Sequence, residues 1–428
     1  MIEPFVVDVP QAVLDDLAHR LAATRWTEDF ANDDWRYGAN AAYIRELAEY
    51  WHNSYDWRTR ERMMNSFAHF CAEISGIPIH FIHERGRGPN RIPLILNHGW
   101  PWSFWDFAKV IGPLSDPATH GADPVDAFDV IVPSLPGYGF STPLKHTGIN
   151  WWRTADLWVE LMESLGYQRF ATQGSDWGSF VSAQLGYKYA DRIIGVHLST
   201  PAPLDFMSMR AWDSSDFAPQ EQANLARMAQ INAEETGYFQ LQRTKPQTPA
   251  VALNDSPAGL LAWIVEKRRT WSDCGGDVER RISKDELIDT VMLYWVTGSY
   301  HTSARYYYEG AHNPWQPTND RLPVVAAPTA VAIFPADLIH PAALGRPLLQ
   351  PAAVDQNVLG WAFRTNGRTG SAGRGCAAVF QGQAQNLIRQ GHSPNQSLPG
   401  GVRGLTQSPR PRSNKATPSA RAGVERLS

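Results

Sequence analysis

The segment Gly174-Ser175-Asp176-Trp177-Gly178-Ser179 carries the strongest signal in this sequence for both fold and chemistry. It follows the apolar run 170–172 and precedes the largely apolar run 180–185. Between a strand and a helix, a nucleophile flanked at this spacing by small residues forms a sharp turn that exposes the central side chain. We therefore expect Asp176 to lie at the tip of a strained turn.

An aspartate at this position indicates a particular chemistry. A serine would suggest acyl transfer, but a carboxylate is already ionised at neutral pH and needs no base to act as a nucleophile. Asp176 would suit attack on an electrophilic sp³ carbon, which gives an alkyl ester of the enzyme. The alternative, which fits the residue types equally well, is that Asp176 is a helix N-cap and that the glycines only make a turn.

Strand-like and helix-like segments alternate around this turn. Residues 93–97 and 128–132 are short apolar runs typical of buried strands, and the next predicted helix covers residues 154–165. A buried-strand pattern returns at residues 328–334. The alternation predicts an α/β fold with a doubly wound, mostly parallel sheet. Together with the sharp turn, it indicates the α/β-hydrolase fold.

The sequence divides into five segments. Residues 1–90 begin with helical spacing and end in the first strands. Residues 91–200 make the first part of the core, and residues 201–320 are predicted to be a helical lid because the alternation stops there. Residues 321–340 return to the core. Residues 341–428 differ in composition and resemble a disordered basic tail.

Composition and charge restrict the class of protein. The chain has 428 residues, 43% of them hydrophobic, which is enough for a large core. The net charge is −13 over residues 1–337 and +9 over residues 338–428. The three cysteines have neither disulfide nor metal-ligand spacing, which suggests a reducing compartment and indicates no zinc site. We expect no metal and no cofactor. Without a signal peptide or a long apolar run, the sequence predicts a cytoplasmic protein with no membrane anchor.

An aspartyl ester needs stabilisation in its second step. When water attacks the ester carbonyl, a tetrahedral oxyanion forms and requires two backbone N–H donors. In this fold one donor follows the nucleophile, here Trp177, and the other lies in the loop after an earlier strand. That second donor is predicted to be Trp100 in His98-Gly99-Trp100-Pro101. The alternative for this loop is a plain tight turn.

The sequence resembles the microsomal-type epoxide hydrolases, a branch of the α/β-hydrolases with an N-terminal meander. The resemblance covers residues 3–340 approximately. It rests on a series of ordered motifs, which are Asp56-Trp57-Arg58, 67–81, His98-Gly99-Trp100-Pro101, 133–141, Asp176-Trp177-Gly178, Thr244-Lys245-Pro246, Asn254-Asp255-Ser256-Pro257 and Leu293-Tyr294-Trp295. It implies the addition of water to a small hydrophobic epoxide, which yields a vicinal diol.

The resemblance also implies an acid on the lid. In the family two lid tyrosines hydrogen-bond the epoxide oxygen and protonate it as the ring opens, and the matching positions are Tyr238 and Tyr307. Tyr306 and Tyr308 leave one residue of ambiguity at the second position. A phenol with a pKa of about 10 stays protonated at neutral pH and can still donate to a nascent alkoxide. The alternative is that these tyrosines only pack lid helices.

The family's general base is where this sequence departs from the pattern. The orienting acid matches Asp337, which would hold a histidine in place, although a solvated loop aspartate is the alternative. The family histidine stands farther along in a Gly-Gly-His-Phe sequence, and this chain has no histidine between His340 and His392. His392 lies in a Pro- and Gly-rich stretch, His340 is close to Asp337 along the chain, and His98 belongs to the turn. None of them is a good substitute.

Two explanations of residues 341–428 stay open. The segment is basic and holds three aromatic residues, Trp361, Phe363 and Phe380. A reading-frame shift near His340 would account for both the composition and the missing histidine, and a genuine tail is the other explanation. Nucleic-acid binding is not favoured, because interleaved aromatic residues and a recognisable module are lacking.

A second departure lies in the oxyanion loop. The family usually has a small glycine after His-Gly-Trp-Pro, and Trp102 occupies that position here. Its bulk would narrow the pocket or shift the loop.

The sequence as a whole predicts an epoxide hydrolase that forms the Asp176 ester but lacks the base that would release it. Turnover would then be impaired or limited to a single event. One rival is a haloalkane dehalogenase, which shares an aspartate followed by tryptophan, although the lid tyrosines and the meander favour epoxides. The other rival is a non-catalytic binding protein that keeps the hydrolase pocket. No nucleic-acid partner is expected, and a homo-oligomer is left open.

Overall fold

An open sheet of nine strands runs through the described part of the computed structural model, which comprises residues 1–200, 204–208, 222–320, 324–332 and 349–355. The spatial order of the strands is β1-β2-β3-β5-β4-β6-β7-β8-β9. In chain order they are β1 (Ile2–Phe5), β2 (His69–Ile74), β3 (Ile77–Glu84), β4 (Ile92–Asn97), β5 (Phe128–Pro133), β6 (Phe170–Gly174), β7 (Ile193–Leu198), β8 (Val325–Ala332) and β9 (Leu349–Asp355).

Strand direction divides this sheet into two parts. β1, β2, β3 and β5 pair antiparallel, whereas the ladders from β5 through β4, β6, β7 and β8 to β9 are parallel. Every residue of β5 and β6 is buried, as expected for strands covered by helices on both faces. The predicted α/β-hydrolase fold with a mostly parallel, doubly wound sheet is confirmed.

Helices cover the sheet and form a separate layer beyond it. In chain order they are α1 (Gln11–Ala22), α2 (Ala41–Asn53), α3 (Trp57–Met64), α4 (Ala108–Ser115), α5 (Trp151–Ser164), α6 (Trp177–Lys188), α7 (Gln222–Glu235), α8 (Gly237–Thr244), α9 (Gln247–Asp255), α10 (Pro257–Thr270), α11 (Lys284–Thr297) and α12 (Tyr300–His312). We call α7–α12, which lie between β7 and β8 in the chain, the lid. Among the described residues, no helix combines the length and the apolar character needed to cross a membrane.

The N-terminal segment mixes helices with two strands. The helical spacing of apolar residues in α1 and α2 is matched by buried side chains on one face of each helix, such as Leu17 and Leu47. The sequence pattern did not reveal β1 or β2. β1 has only four residues, one of them Pro4, and sits at the sheet edge, so it is too short to display the alternation that identifies a strand.

Ionic contacts join this N-terminal segment to the lid. Asp289 of α11 is buried and accepts hydrogen bonds from Arg60 of α3 and, at 2.8 Å, from the Tyr55 hydroxyl. Lys284 at the start of α11 donates to Glu46 of α2 at 2.5 Å. The meander therefore holds one side of the lid from outside the sheet.

β9 corrects one sequence prediction. No strand was expected beyond residue 340, yet residues 349–355 form a strand parallel to β8. The run Pro351-Ala352-Ala353-Val354 is apolar and short, and β8 offers it an edge with unpaired backbone groups. The remaining residues of the 341–428 segment lie outside the described residues.

Candidate active site

The loop that carries Asp176 is a strained turn between β6 and α6. β6 ends at Gly174, α6 begins at Trp177, and Asp176 has φ 50° and ψ −128°. A non-glycine residue in this region costs about 1–3 kcal/mol, which the surrounding structure must supply. A Cβ on Gly174 would overlap the carbonyl oxygen of Gly178, and one on Gly178 would overlap that of Asn97. The glycines are therefore required by close backbone approach.

A second loop supplies a donor to the Asp176 carboxylate. The backbone N–H of Trp100, after β4, donates to Asp176 Oδ1 at 2.8 Å. The two loops are so close that a Cβ on Gly99 would overlap the Asp176 side chain. Asp176 occupies the N-cap position of α6 but makes no capping hydrogen bond, so the plain N-cap interpretation does not describe this carboxylate.

The Asp176 carboxylate is buried, and burial disfavours its charged form. Burial raises the pKa of Asp176 to about 6, against the opposing effect of the backbone N–H groups of Trp100 and Trp177. Those two N–H groups are the predicted oxyanion donors, and the structure brings both to the carboxylate. They are placed to stabilise negative charge on the carboxyl group of Asp176.

Tyr238 lies on α8 against the oxyanion loop. Its ring stacks on Trp100, with 4.9 Å between ring centroids and an interplanar angle of 6°, and it also contacts Trp271. Burial and the charge of Asp176 raise the pKa of Tyr238, against the effect of a hydrogen bond with Tyr307. The phenol is therefore protonated at neutral pH and lies within the electrostatic reach of the carboxylate.

Tyr307 reaches the same site from α12. Its ring packs edge-on against Trp177 at 4.7 Å and against Tyr238 at 6.0 Å, and burial is the main cause that raises its pKa well above the ordinary value. The neighbouring tyrosines have other hydrogen-bond or stacking partners, although the Tyr306 ring also packs edge-on against Trp177 at 5.7 Å. Tyr306 hydrogen-bonds Thr154 of α5 at 2.8 Å, and Tyr308 stacks on His312. Of the three consecutive tyrosines, Tyr307 is the one that faces Tyr238.

No histidine of the described residues hydrogen-bonds Asp176. Both ring nitrogens of His98 are occupied: Nδ1 donates to the carbonyl of Gly99 at 2.9 Å, and Nε2 accepts from the backbone N–H of Leu135 at 3.0 Å. Burial lowers the pKa of His98 to about 4. This ring is a neutral structural element of the turn, as the sequence indicated. The predicted orienting acid, Asp337, lies outside the described residues, as do His340 and His392, which the sequence analysis considered as substitutes for the base and did not favour.

Comparisons with known proteins identify the family. The model of the epoxide hydrolase N terminus matches residues 2–107, and that of the alpha/beta hydrolase fold matches residues 92–254. A putative epoxide hydrolase of Stigmatella aurantiaca is 42% identical over 339 residues, which cover 79% of this chain and 75% of that protein. This chain belongs to the microsomal-type epoxide hydrolases.

Further relatives of this hydrolase agree with that assignment. Epoxide hydrolase 1 of Sus scrofa is 34% identical over 359 residues, covering 79% of each chain. The solved structure of the Aspergillus niger epoxide hydrolase superposes with a TM-score of 0.75 at 27% identity and covers 91% of this chain and 96% of that chain. The N-terminal meander and the α/β core are thus both family features.

Trp102, which departs from the family pattern, packs away from Asp176. Its ring stacks on Trp271 at 5.9 Å and lies 5.6 Å from the Arg268 guanidinium, while its carbonyl accepts a hydrogen bond from Tyr294 at 3.0 Å. Because the bond from Trp100 to Asp176 is intact, the bulky side chain has not displaced the oxyanion donor. Lid residues absorb the added volume.

Sequence reasoning missed several residues of this hydrolase site. Trp151, at the start of α5, stacks on Trp177 at 5.4 Å. Trp271, Lys267 and Arg268 come from α10 or its C-terminal end and contact Tyr238 or Trp102. No spacing in the sequence connects them with the elbow, which is our name for the strained turn that carries Asp176. The contacts arise only when the lid packs on the core. Within the described residues, no group of three or more His, Cys, Asp or Glu side chains is arranged to hold a metal ion.

Proposed function

We propose that this hydrolase opens epoxides through a covalent ester at Asp176. The observation that carries the proposal is the arrangement at the elbow, where the Trp100 N–H binds one carboxylate oxygen at 2.8 Å and the phenols of Tyr238 and Tyr307 lie within the field of that carboxylate. In this proposal a nucleophile, an oxyanion site and two proton donors share one cluster of packed aromatic side chains.

The first half-reaction uses groups that are all present. With Oδ1 bound by Trp100, the other carboxylate oxygen of Asp176 attacks an epoxide carbon and forms a new C–O bond. The ring C–O bond breaks, its electron pair moves to the epoxide oxygen, and this oxygen takes a proton from Tyr238 or Tyr307. The phenolate left behind regains a proton from solvent. The product is a hydroxyalkyl ester whose carbonyl oxygen faces the two backbone donors.

The second half-reaction lacks an evident base. Water must attack the ester carbonyl of Asp176, and loss of a general base typically slows such a step by about 10² to 10⁴. Asp337 would orient a histidine, but the only histidine after His340 in this sequence is His392. We propose that turnover is impaired or stops at the ester.

A reading-frame shift near His340 is our preferred origin of the missing base. It would account for the basic composition of residues 341–428 together with the loss of the histidine. Resequencing the gene from the codon of Asp337 to that of Phe363 tests this idea. An unambiguous read with no alternative frame that restores Gly-Gly-His would refute it and leave a genuine tail.

Halide displacement is the enzymatic rival. The two phenols favour epoxides because an alkoxide must be protonated as it forms, whereas a leaving halide needs no proton. Release of halide from a haloalkane, with no reaction of an epoxide, would support the dehalogenase instead. Thermal stabilisation by an epoxide without any covalent product would support a binding protein.

The stoichiometry of diol formation tests the proposed block. The enzyme is incubated with excess styrene oxide, and diol is measured per mole of enzyme. We expect less than one equivalent of diol on the timescale of ester formation. Steady formation of many equivalents would show that another residue supplies the base.

A further inference from the structure

A buried lysine that the proposed reaction does not use lies against the acid Tyr238. Lys267 of α10 is 9% exposed, and its Nζ lies 5.4 Å from the centroid of the Tyr238 ring and 5.8 Å from that of the Trp271 ring. A cation at this distance over an aromatic face is attracted by the electron density of the ring. The contact is therefore an interaction with the acid itself.

Two carboxylates keep this ammonium in place. Nζ lies 2.8 Å from Glu266 and 3.2 Å from Glu235. Glu235 ends α7, directly before the segment that carries Tyr238. Burial of a lysine is costly unless its charge is paired, and the two carboxylates meet that requirement. They hold the cation at the junction of three lid helices, where it touches the ring.

We propose that Lys267 is a positioning residue that acts through Tyr238, holding its ring on Trp100 and favouring the loss of its proton. The proposal rests on the proposed function, in which Tyr238 protonates the epoxide oxygen. As the proton leaves, the O–H electron pair stays on the phenol oxygen and the ring becomes richer in electrons. The attraction to the cation then grows and opposes the repulsion from Glu235, whose charge raises the pKa of Tyr238. The contact between Lys267 and the ring is therefore stronger in the transition state than in the ground state. Lys267 itself gives up no proton.

The test measures ester formation in a single turnover. The protein is mixed with styrene oxide, quenched at intervals, and the alkylated fraction is measured by mass spectrometry. Lys267→Met removes the charge, Lys267→Gln removes it while keeping an N–H donor for the carboxylates, and Lys267→Arg keeps it. We expect both neutral variants to slow ester formation by about 5- to 30-fold, and the arginine variant to retain most of the rate.

A double-mutant cycle separates this role from simple packing. In a Tyr238→Phe background the ring has no proton to give, so Lys267→Gln should have almost no further effect. A purely structural lysine would slow ester formation by the same factor in both backgrounds. Thermal unfolding of each variant shows whether the lid is intact.

A matched control is available on another face. Lys188 Nζ lies 5.2 Å from the centroid of the Tyr189 ring and is paired with Asp156 at 2.7 Å. Unlike Lys267 it is exposed, and it ends α6, which is not part of the lid. Lys188→Met should leave the rate of ester formation unchanged. The inference would be overturned if both neutral Lys267 variants formed the ester at the wild-type rate, or if Lys267→Gln had the same effect in both backgrounds. The proposed function would still stand in either case, because the wild-type protein forms the ester. Absence of any ester in the wild type would overturn the proposed function, and this inference with it.

Discussion

In the proposed mechanism, the ionisation of the Asp176 carboxyl group sets the pH dependence of ester formation. Burial raises the pKa of Asp176 from 3.8 to about 6, and only the ionised form is a nucleophile. The rate of ester formation should therefore be constant above that value and fall as the pH drops through it, by about tenfold per pH unit. Single-turnover rates between about pH 4.5 and 8 measure this.

A control identifies the titrating group. Tyr238→Phe should lower the rate at every pH without moving the midpoint, because the phenol stays protonated throughout this range. A rate that stays level down to about pH 4.5 would contradict the assignment, since it would require a carboxyl with an ordinary pKa.

The three consecutive tyrosines of α12 allow a matched comparison. Tyr307→Phe should slow ester formation by about 10- to 100-fold, because Tyr307 faces Tyr238 and the nucleophile loop. Tyr308→Phe should have no effect on this rate, since Tyr308 stacks on His312 instead. Equal effects of the two substitutions would contradict the assignment of the second proton donor. Rates are read by quenched mass spectrometry, as above.

For individual residues, short local motifs predicted the positions of the nucleophile and its backbone donor. Contacts between residues far apart in the sequence were not predicted. The elbow and the His-Gly-Trp-Pro loop each carry their geometry in a few adjacent residues, so Asp176 and Trp100 could be placed from the sequence. Lys267 could not, because its contact with Tyr238 depends on how α10 packs against α8. A shift of Lys267 by one helical turn would separate it from Tyr238, and no local sequence pattern specifies how these two helices are aligned.

At the scale of helices and strands, we expect the ion pair that joins the N-terminal meander to the lid to contribute strongly to stability. Arg60 of α3 donates to Asp289 of α11, which is 1% exposed and also accepts from Tyr55. Arg60→Leu leaves that carboxylate buried without its cation, and we expect a loss of about 3–5 kcal/mol in the free energy of unfolding. Urea denaturation followed by tryptophan fluorescence measures it.

An exposed ion pair in the same segment provides the control. Arg36 and Asp34 are both more than half exposed, so Arg36→Leu should lower the free energy of unfolding far less than Arg60→Leu does. A similar cost for the two substitutions would mean that the buried pair does not clamp the lid.

Helices and strands differed in how far the sequence revealed them. Helices such as α1 and α2 showed their apolar spacing over about three turns, and buried strands such as β4 and β5 were mostly apolar runs. β1 was missed because it has only four residues, and β9 because it lies in a segment whose overall composition is that of a basic tail. Both strands pair at an edge of the described sheet, where the neighbouring strand specifies them more than their own pattern does.

For the whole molecule, the fold could be predicted from the alternation of strands and helices and from the elbow at Asp176. The proposed absence of a base concerns only the sequence after residue 340. The core positions the nucleophile, the meander holds the lid, and the lid brings two phenols to the nucleophile. All parts for ester formation come from residues 1–320. In the proposed mechanism, release of that ester requires a histidine in the Gly-Gly-His-Phe context that the resemblance implies, and this sequence has no such motif after residue 340.

Intact-mass spectrometry after incubation with styrene oxide tests the central claim most directly. We predict one stable adduct whose mass equals that of protein plus one epoxide, and peptide mapping should place it on Asp176. Asp176→Asn should form no adduct. An unmodified wild-type protein, or an adduct that persists in the asparagine variant, would contradict the account.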